Sequence, residues 1–179
     1  MLTRADDLAT MSVLDENGNA VMLGDLWRDK PAVLVFTRHF GCVHCREHAA
    51  LLQREGERIR EAGAELFVIG NGTPSFIDGF RDQTGFAGPI YTDPSLATYK
   101  AAQFKRSVTS TLDPRGVGKA LRAMVGGHKQ AIIPQGDQWQ QGGVLVVLPS
   151  GEIAWHYVSG RAGDDPSVTQ IVSALRATA

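Results

Sequence analysis

The chain holds only two cysteines among its 179 residues, and they stand three positions apart in Gly41-Cys42-Val43-His44-Cys45-Arg46. Thiols at that spacing can close a disulfide, so the first reading is thiol redox chemistry. The apolar run Pro31-Ala32-Val33-Leu34-Val35-Phe36 ahead of them has the composition of a buried parallel strand, and Val43 to Ala62 reads as a helix. Cys42 then sits at a helix entrance, where unpaired amides and the positive dipole end favour a thiolate. Its pKa is expected below the free value of about 8.5. On the helix, Cys45, Ala49, Leu52, Gly56 and Ile59 recur at spacings of four and three and share one face. Cys45 is thus expected to be the more buried thiol, with Cys42 attacking and Cys45 resolving. His44 adds a cationic donor inside the turn.

Two other uses of these residues compete. Free cysteines often serve as small buried hydrophobes. A metal centre is conceivable because His39, His44 and His48 flank the pair, with His44 and His48 four apart on the predicted helix. Structural zinc draws its ligands from two separated pairs, however, and His128 and His156 are isolated, so no metal is expected. His39 admits two readings of equal weight, a group that tunes Cys42 or a structural hydrogen-bonding residue.

The rest of the chain must position this pair. Asp15-Glu16-Asn17-Gly18-Asn19 reads as a hairpin turn between two short apolar pieces, and Leu23 to Trp27 leads to the strand before the cysteines. Glu65 to Ile69 is a second strand. Thr73 and Pro74 open a helix to about Thr84. Gly88 to Tyr91 is a third strand, and Asp93 with Pro94 starts a helix through Tyr99. Val144 to Leu148 and Glu152 to Tyr157 flank Pro149-Ser150-Gly151 as an antiparallel hairpin, and Asp165 to about Ala177 is the last helix. The β-α-β-α-β order predicts an α/β protein whose first half is parallel, with helices on both faces of a central mixed sheet and extra strands at the N-terminus: a thioredoxin-like architecture in a single domain spanning residues 1–179. Gly70 to Ser75 lacks the endings of a P-loop or a dinucleotide fingerprint and reads as a plain loop. Residues 101–140 form an insertion, partly helical over Gly116 to Val125, that is expected beside the cysteines. Its Lys105, Arg106, Arg115, Lys119 and Arg122 read as solvated charges, and Trp139 as a core residue.

Composition narrows the partners. The formal net charge is −1 and no basic block occurs, so neither nucleic acid nor an anionic membrane is expected. Met1 to Met11 carries Arg4, Asp6 and Asp7 without an apolar stretch, so a signal peptide is not expected. A cytoplasmic, reducing compartment follows as the default, and there a Cys-x-x-Cys pair is catalytic more often than structural.

Three segments together resemble the AhpC/TSA-related, peroxiredoxin-like family: Phe36 to Arg46, Tyr91-Thr92-Asp93-Pro94 with Tyr99, and Gln141-Gly142-Gly143 before a hydrophobic strand. Within that family the chain is similar to the branch that keeps Cys-x-x-Cys and includes the prostamide/prostaglandin F synthase type. The resemblance implies Cys42 as the peroxidatic or attacking thiol, Cys45 as the resolving one, Arg38 or Arg46 as the cation beside the thiolate, and Gln141, Gly142 and Gly143 in the loop facing the pair, where substrate binds. Two departures stand out. No proline precedes Gly142, where related folds often place a cis-proline, and Val35 and His39 replace the proline and threonine of the peroxiredoxin loop, leaving Thr37 as the nearby hydroxyl. The implied activity is reduction of a peroxide or a disulfide by a Cys42/Cys45 dithiol cycle. It would need no bound cofactor, an external thiol reductant such as thioredoxin or glutathione, and would leave oligomerisation open. The alternative is a non-catalytic module that senses redox state or holds metal.

Overall fold

The computed structural model describes residues 2–107, 125 and 135–178. Alternating apolar residues build a seven-stranded sheet. Its strands are β1 (Ser12–Leu14), β2 (Ala20–Met22), β3 (Ala32–Phe36), β4 (Glu65–Gly70), β5 (Ile90–Thr92), β6 (Gly143–Val147) and β7 (Ile153–Val158), in the spatial order β2-β1-β5-β4-β3-β6-β7. Strands β3, β4 and β5 are parallel, while β6 joins β3 antiparallel, with Phe36 opposite Gly143. β3 and β6 are buried on both faces, as central strands covered by helices must be.

The period-2 alternation of β3 sends its residues to two cores. Val33 and Val35 meet Leu52, Ile59, Phe80 and Ile171 on one face; Ala32, Leu34 and Phe36 meet Leu8, Trp27 and Tyr99 on the other. The first face is covered by α2 (Val43–Glu55), α3 (Glu57–Glu61), α4 (Ile77–Thr84) and α6 (Val168–Arg176), the second by α1 (Asp6–Ala9) and α5 (Ala97–Ala101). This is the expected mixed sheet with helices on both faces. No helix among the described residues is long and apolar enough to cross a membrane.

Several boundaries differ from the sequence reading for local reasons. The long helix over 43–62 breaks at Gly56, whose added Cβ would lie 2.5 Å from the Leu52 carbonyl oxygen. Thr73 makes no capping bond and shares its hydroxyl with Ser75 instead, so residues 74–76 form a 3-10 turn before α4. Asp93 caps from a distance: its carboxylate accepts the Thr98 amide at 2.8 Å and the Thr98 hydroxyl at 2.7 Å, and Leu96 turns left-handed (φ 63°), so α5 starts at Ala97 and not at Pro94. The last helix starts at Val168, where Ser167 and Gln170 form a reciprocal capping box.

The start of β6 shows how tightly the sheet is drawn together beneath the cysteines. A Cβ on Gly142 would fall 2.0 Å from the Phe36 carbonyl oxygen, and one on Gly143 would fall 2.2 Å from the Tyr157 carbonyl oxygen. Those neighbours are backbone atoms of adjoining strands and cannot rotate away. Gly142→Ala is therefore expected to lower stability by about 3 kcal/mol, the upper end of overpacking penalties, read as a shifted urea midpoint; an unchanged midpoint would show that the strands tolerate the side chain.

Candidate active site

At its carboxyl end β3 runs into Thr37-Arg38-His39-Phe40-Gly41, and α2 begins at Val43 with Cys42 as its N-cap residue. The turn is anchored from below by Phe40. Its ring lies where a side chain at Gly70 would have to be, 2.2 Å from that hypothetical Cβ, and packs 5.2 Å from the ring of Phe80. The Cys42 amide donates to the His39 carbonyl at 3.2 Å, closing the turn. Both cysteines are free thiols.

Cys45 is not the more buried of the two. Cys42 is 2% exposed and Cys45 4%, so the helix tip is covered as completely as the core-facing side of α2. The neighbouring segment 135–141 accounts for part of that cover. The Phe40 amide donates to the Gln135 carbonyl at 3.2 Å, and Arg38 Nη2 donates to the Gln138 carbonyl at 2.9 Å.

Arg38 touches both sulfurs. Its backbone amide donates to Cys45 Sγ at 3.3 Å, and its Nη1 reaches Cys42 Sγ at 3.8 Å. The two thiols are pushed in opposite directions. Cys42 is lowered to about 6, chiefly because the Cys45 thiol donates to its sulfur; the Arg38 guanidinium, the Cys45 amide and His44 add to this, while burial opposes it. The Cys45 amide helps from the first helical turn without forming a capping hydrogen bond to the side chain. Cys45 is raised well above its ordinary value, because it is the donor in that bond and because burial and the negative charges of Cys42 and Asp165 disfavour a second anion.

The other residues singled out from the sequence fall into groups. Arg46 is 2% exposed. Its Nε donates to the Phe40 carbonyl at 2.9 Å and its Nη2 to Gln135 Oε1 at 3.1 Å. Burial lowers its pKa, and the two sulfurs raise it, which places this second guanidinium in their field. Thr37 is bound into the sheet: its amide donates to the Ile69 carbonyl at 2.8 Å and its hydroxyl to the same oxygen at 3.4 Å. His44 is buried beside Gly163, where an added Cβ would lie 3.0 Å from His44 Nδ1. His48 Nε2 lies 3.0 Å from the Pro166 carbonyl, and its Nδ1 lies 3.9 Å from Asp165 Oδ1. Gln141 is fully buried, its amide nitrogen directed at the Trp139 carbonyl (3.3 Å) and the Ser107 carbonyl (3.4 Å); with Gly142 and Gly143 it forms the junction into β6. Trp139 is half-buried and lies outside both apolar cores, because the hydrogen bond from its amide to Asp137 Oδ1 holds it in the surface turn. Lys105 and Arg106 are exposed, with Arg106 Nε 2.8 Å from Asp137 Oδ2. Arg115, Lys119 and Arg122 lie outside the described residues, as does the helix expected over Gly116 to Val125 apart from Val125 itself.

The sequence reading missed Asn71, which it placed in a plain loop. Asn71 Nδ2 donates to the Arg38 carbonyl at 2.5 Å, and its Oδ1 accepts the Asp137 amide at 2.9 Å, so one buried amide ties the cysteine turn to segment 135–141. Tyr99 was noticed but not given a task. Its hydroxyl is shared between the carbonyls of Thr37 (2.7 Å) and Ile69 (3.0 Å), fixing the end of β3. An Asn directly after a buried strand is the one signal that could have marked the first of these. A cleft of about 400 Å³ opens beside His44, lined by Glu47, His48, Arg54, Asp165 and Pro166 among others.

The model of the AhpC/TSA antioxidant enzyme family matches residues 51–160. The chain belongs to this family. Among its relatives, the thioredoxin-like protein AAED1 of Arabidopsis thaliana chloroplasts is 38% identical, over 95% of this chain and 72% of its own length. The prostamide/prostaglandin F synthase of Salmo salar is 34% identical, over 89% of this chain and 81% of its own. The peroxidoxin BcpB structure from Mycobacterium tuberculosis superposes with a TM-score of 0.73 over 100% of this chain and 99% of its own, at 16% identity, which speaks to the fold. As an AhpC/TSA protein of the prostamide/prostaglandin F synthase-type branch, the chain falls among the thiol peroxidases and oxidoreductases.

The electrostatics of the pair can be read directly. Thiolate absorbance of the reduced protein is expected to reach half its Cys42 amplitude near pH 6. In Cys45→Ala the main donor to the anion is gone, so the thiolate becomes harder to form and the midpoint moves up by about one pH unit or more. An unmoved midpoint would assign the depression to Arg38, His44 and the helix start alone.

Proposed function

We propose that the protein reduces a small peroxide, with Cys42 as the attacking thiolate and Cys45 as the resolving thiol. The observation that carries the reading is the opposite displacement of two adjacent thiols, Cys42 down to about 6 and Cys45 well up, which prepares one as nucleophile and keeps the other protonated. Burial favours a peroxide over a macromolecular disulfide as the first acceptor. A sulfur in a residue 2% exposed admits two or three atoms far more readily than the cystine of another folded chain.

In the first step the Cys42 thiolate attacks the hydroxyl oxygen of the peroxide. The O–O bond breaks, the sulfur is oxidised to the sulfenic acid, and the alkoxide or hydroxide that leaves takes a proton from water. Arg38 at 3.8 Å from Cys42 Sγ supplies positive charge where negative charge passes from sulfur to oxygen. The second step is helped by the first. Two causes that hold Cys45 protonated, its donation to Cys42 and the Cys42 charge, vanish once Cys42 carries a neutral sulfenic acid, while the lowering effect of Arg38 remains. Cys45 sulfur then displaces the hydroxyl, water leaves, and the Cys42–Cys45 disulfide forms. Two equivalents of an external thiol, of the thioredoxin or glutathione type, restore the dithiol and become the disulfide. No cofactor bound to this chain is required by these steps.

Stopped-flow oxidation of the reduced protein with hydrogen peroxide, cumene hydroperoxide and a model disulfide tests the reading. A peroxide is expected to oxidise the protein much faster than the disulfide does, Cys42→Ser to fall to the uncatalysed background, and Cys45→Ser to stop at a sulfenic acid that dimedone labels. Fast reaction with the disulfide alone, or undiminished oxidation of Cys42→Ser, would overturn it.

A further inference from the structure

The cleft of about 400 Å³ beside His44, the residue between the two cysteines, has no part in the peroxide step. Each of its walls nevertheless acts on one sulfur. His44, on α2, lowers the pKa of Cys42, and Asp165, on the facing loop, raises that of Cys45. The α2 wall is one stripe of the helix, in which His44, Glu47, His48, Leu51 and Arg54 recur at spacings of three and four. The loop wall is held against it by His48, whose Nε2 lies 3.0 Å from the Pro166 carbonyl and whose Nδ1 lies 3.9 Å from Asp165 Oδ1. At the end nearest the cysteines, Gly163 brings bare backbone against His44, and a side chain there would begin 3.0 Å from its Nδ1. Both signs of charge face this space. Glu47 and Arg54 are exposed and have no ion-pair partner among the described residues, and Asp165 adds a carboxylate from the opposite wall. Glu47 and Arg54 stand seven positions apart, about 10 Å along the helix, which is also about the length of an extended tripeptide.

We infer that this cleft seats the external reductant, a small peptide thiol whose carboxylate meets Arg54 and whose ammonium group meets Glu47 and Asp165. The inference rests on the dithiol cycle above and names the partner that closes it. Size favours a small thiol over a protein. The cleft has the volume of a small-molecule site, whereas a docked protein covers about 800 Å² and would still face sulfurs in residues 2% and 4% exposed. The bound thiol gives its proton to water and its sulfur attacks Cys45 Sγ. The Cys42–Cys45 bond breaks, and Cys42 departs as the thiolate, the better leaving group because its pKa is the lower of the two. A second equivalent then attacks the reductant's sulfur in the mixed disulfide. Cys45 leaves, takes up a proton, and the two reductant molecules depart joined by a disulfide. One disulfide is reduced and one is formed.

The test starts from the disulfide form prepared with diamide and follows its return to the dithiol by acid quenching and thiol counting. Glutathione is the charged probe and 2-mercaptoethanol the uncharged one. The quantity read is the ratio of their second-order rates, which divides out any change in the protein disulfide itself. In Arg54→Ala and in Glu47→Gln this ratio is expected to fall about 3- to 5-fold, the upper range for an exposed ion pair, and Arg54→Glu is expected to lower it further. Both side chains are exposed on α2, so all three variants should fold. A ratio unchanged in every variant would overturn the inference. So would rapid reduction of the wild-type protein by thioredoxin with glutathione no faster than 2-mercaptoethanol, which would make the reductant a protein. Failure of the peroxide reading is recognised separately, because diamide bypasses that step and the wild-type protein would then not react rapidly with peroxide through Cys42.

Discussion

The site depends on the way Arg38 is fixed. Its amide donates to Cys45, its guanidinium reaches Cys42 and the Gln138 carbonyl, and its own carbonyl accepts from Asn71. One residue therefore sets the positions of both sulfurs and of the segment that covers them. A positive charge buried to 6% exposure is costly unless partnered. Here a thiolate and a carbonyl oxygen surround it, so the guanidinium and the Cys42 anion each make the other's burial tolerable. With the Cys45 thiol donating to the sulfur as the main cause, this coupling helps a sulfur with almost no solvent contact to be ionised near neutrality, when burial alone would push its pKa upward.

The sheet supplies the rigidity that such a cluster needs. Arg38 follows directly on β3, whose end is held by Tyr99, by the pairing of Phe36 with Gly143 and by the missing side chains at Gly142 and Gly143. Gly70 plays a similar part on β4, letting the Phe40 ring lie against the backbone so that the turn before Cys42 is pinned to the apolar core. The glycines close to the cysteines thus act through approach distance. Their effect on chemistry passes through the placement of Arg38 and of the first turn of α2.

Much of this was legible in the sequence because it follows from local periodicity. The β-branched run of β3, the alternation in β6 and β7 and the turn glycines and prolines identify the strands and their order, and Cys42 stands at the helix entrance as its spacing implied. What escaped notice depends on contacts between distant segments. Asn71 bonds to Arg38 and to Asp137, partners 33 and 66 positions away, and nothing in its neighbours announces either. The equal burial of Cys42 and Cys45 escaped for the same reason, since helical periodicity describes the core face of α2 but not what lies over its tip. Helix starts were misplaced where a cap acts from outside the helix, as Asp93 does on Thr98 across a left-handed Leu96. The extended helix over 43–62 failed at Gly56, whose close approach to the Leu52 carbonyl is a packing fact that spacing alone cannot show.

Cys42 is proposed as the ionised nucleophile of the pair, held so by Cys45 and Arg38. The most direct measurement is the pH dependence of the second-order rate at which peroxide oxidises the reduced protein in a single turnover. Since only the thiolate attacks, the rate is expected to rise with pH through a midpoint near 6 and to be level above about pH 7. A rate still climbing through pH 8 to 9, as for an ordinary thiol with a pKa of about 8.5, would contradict it.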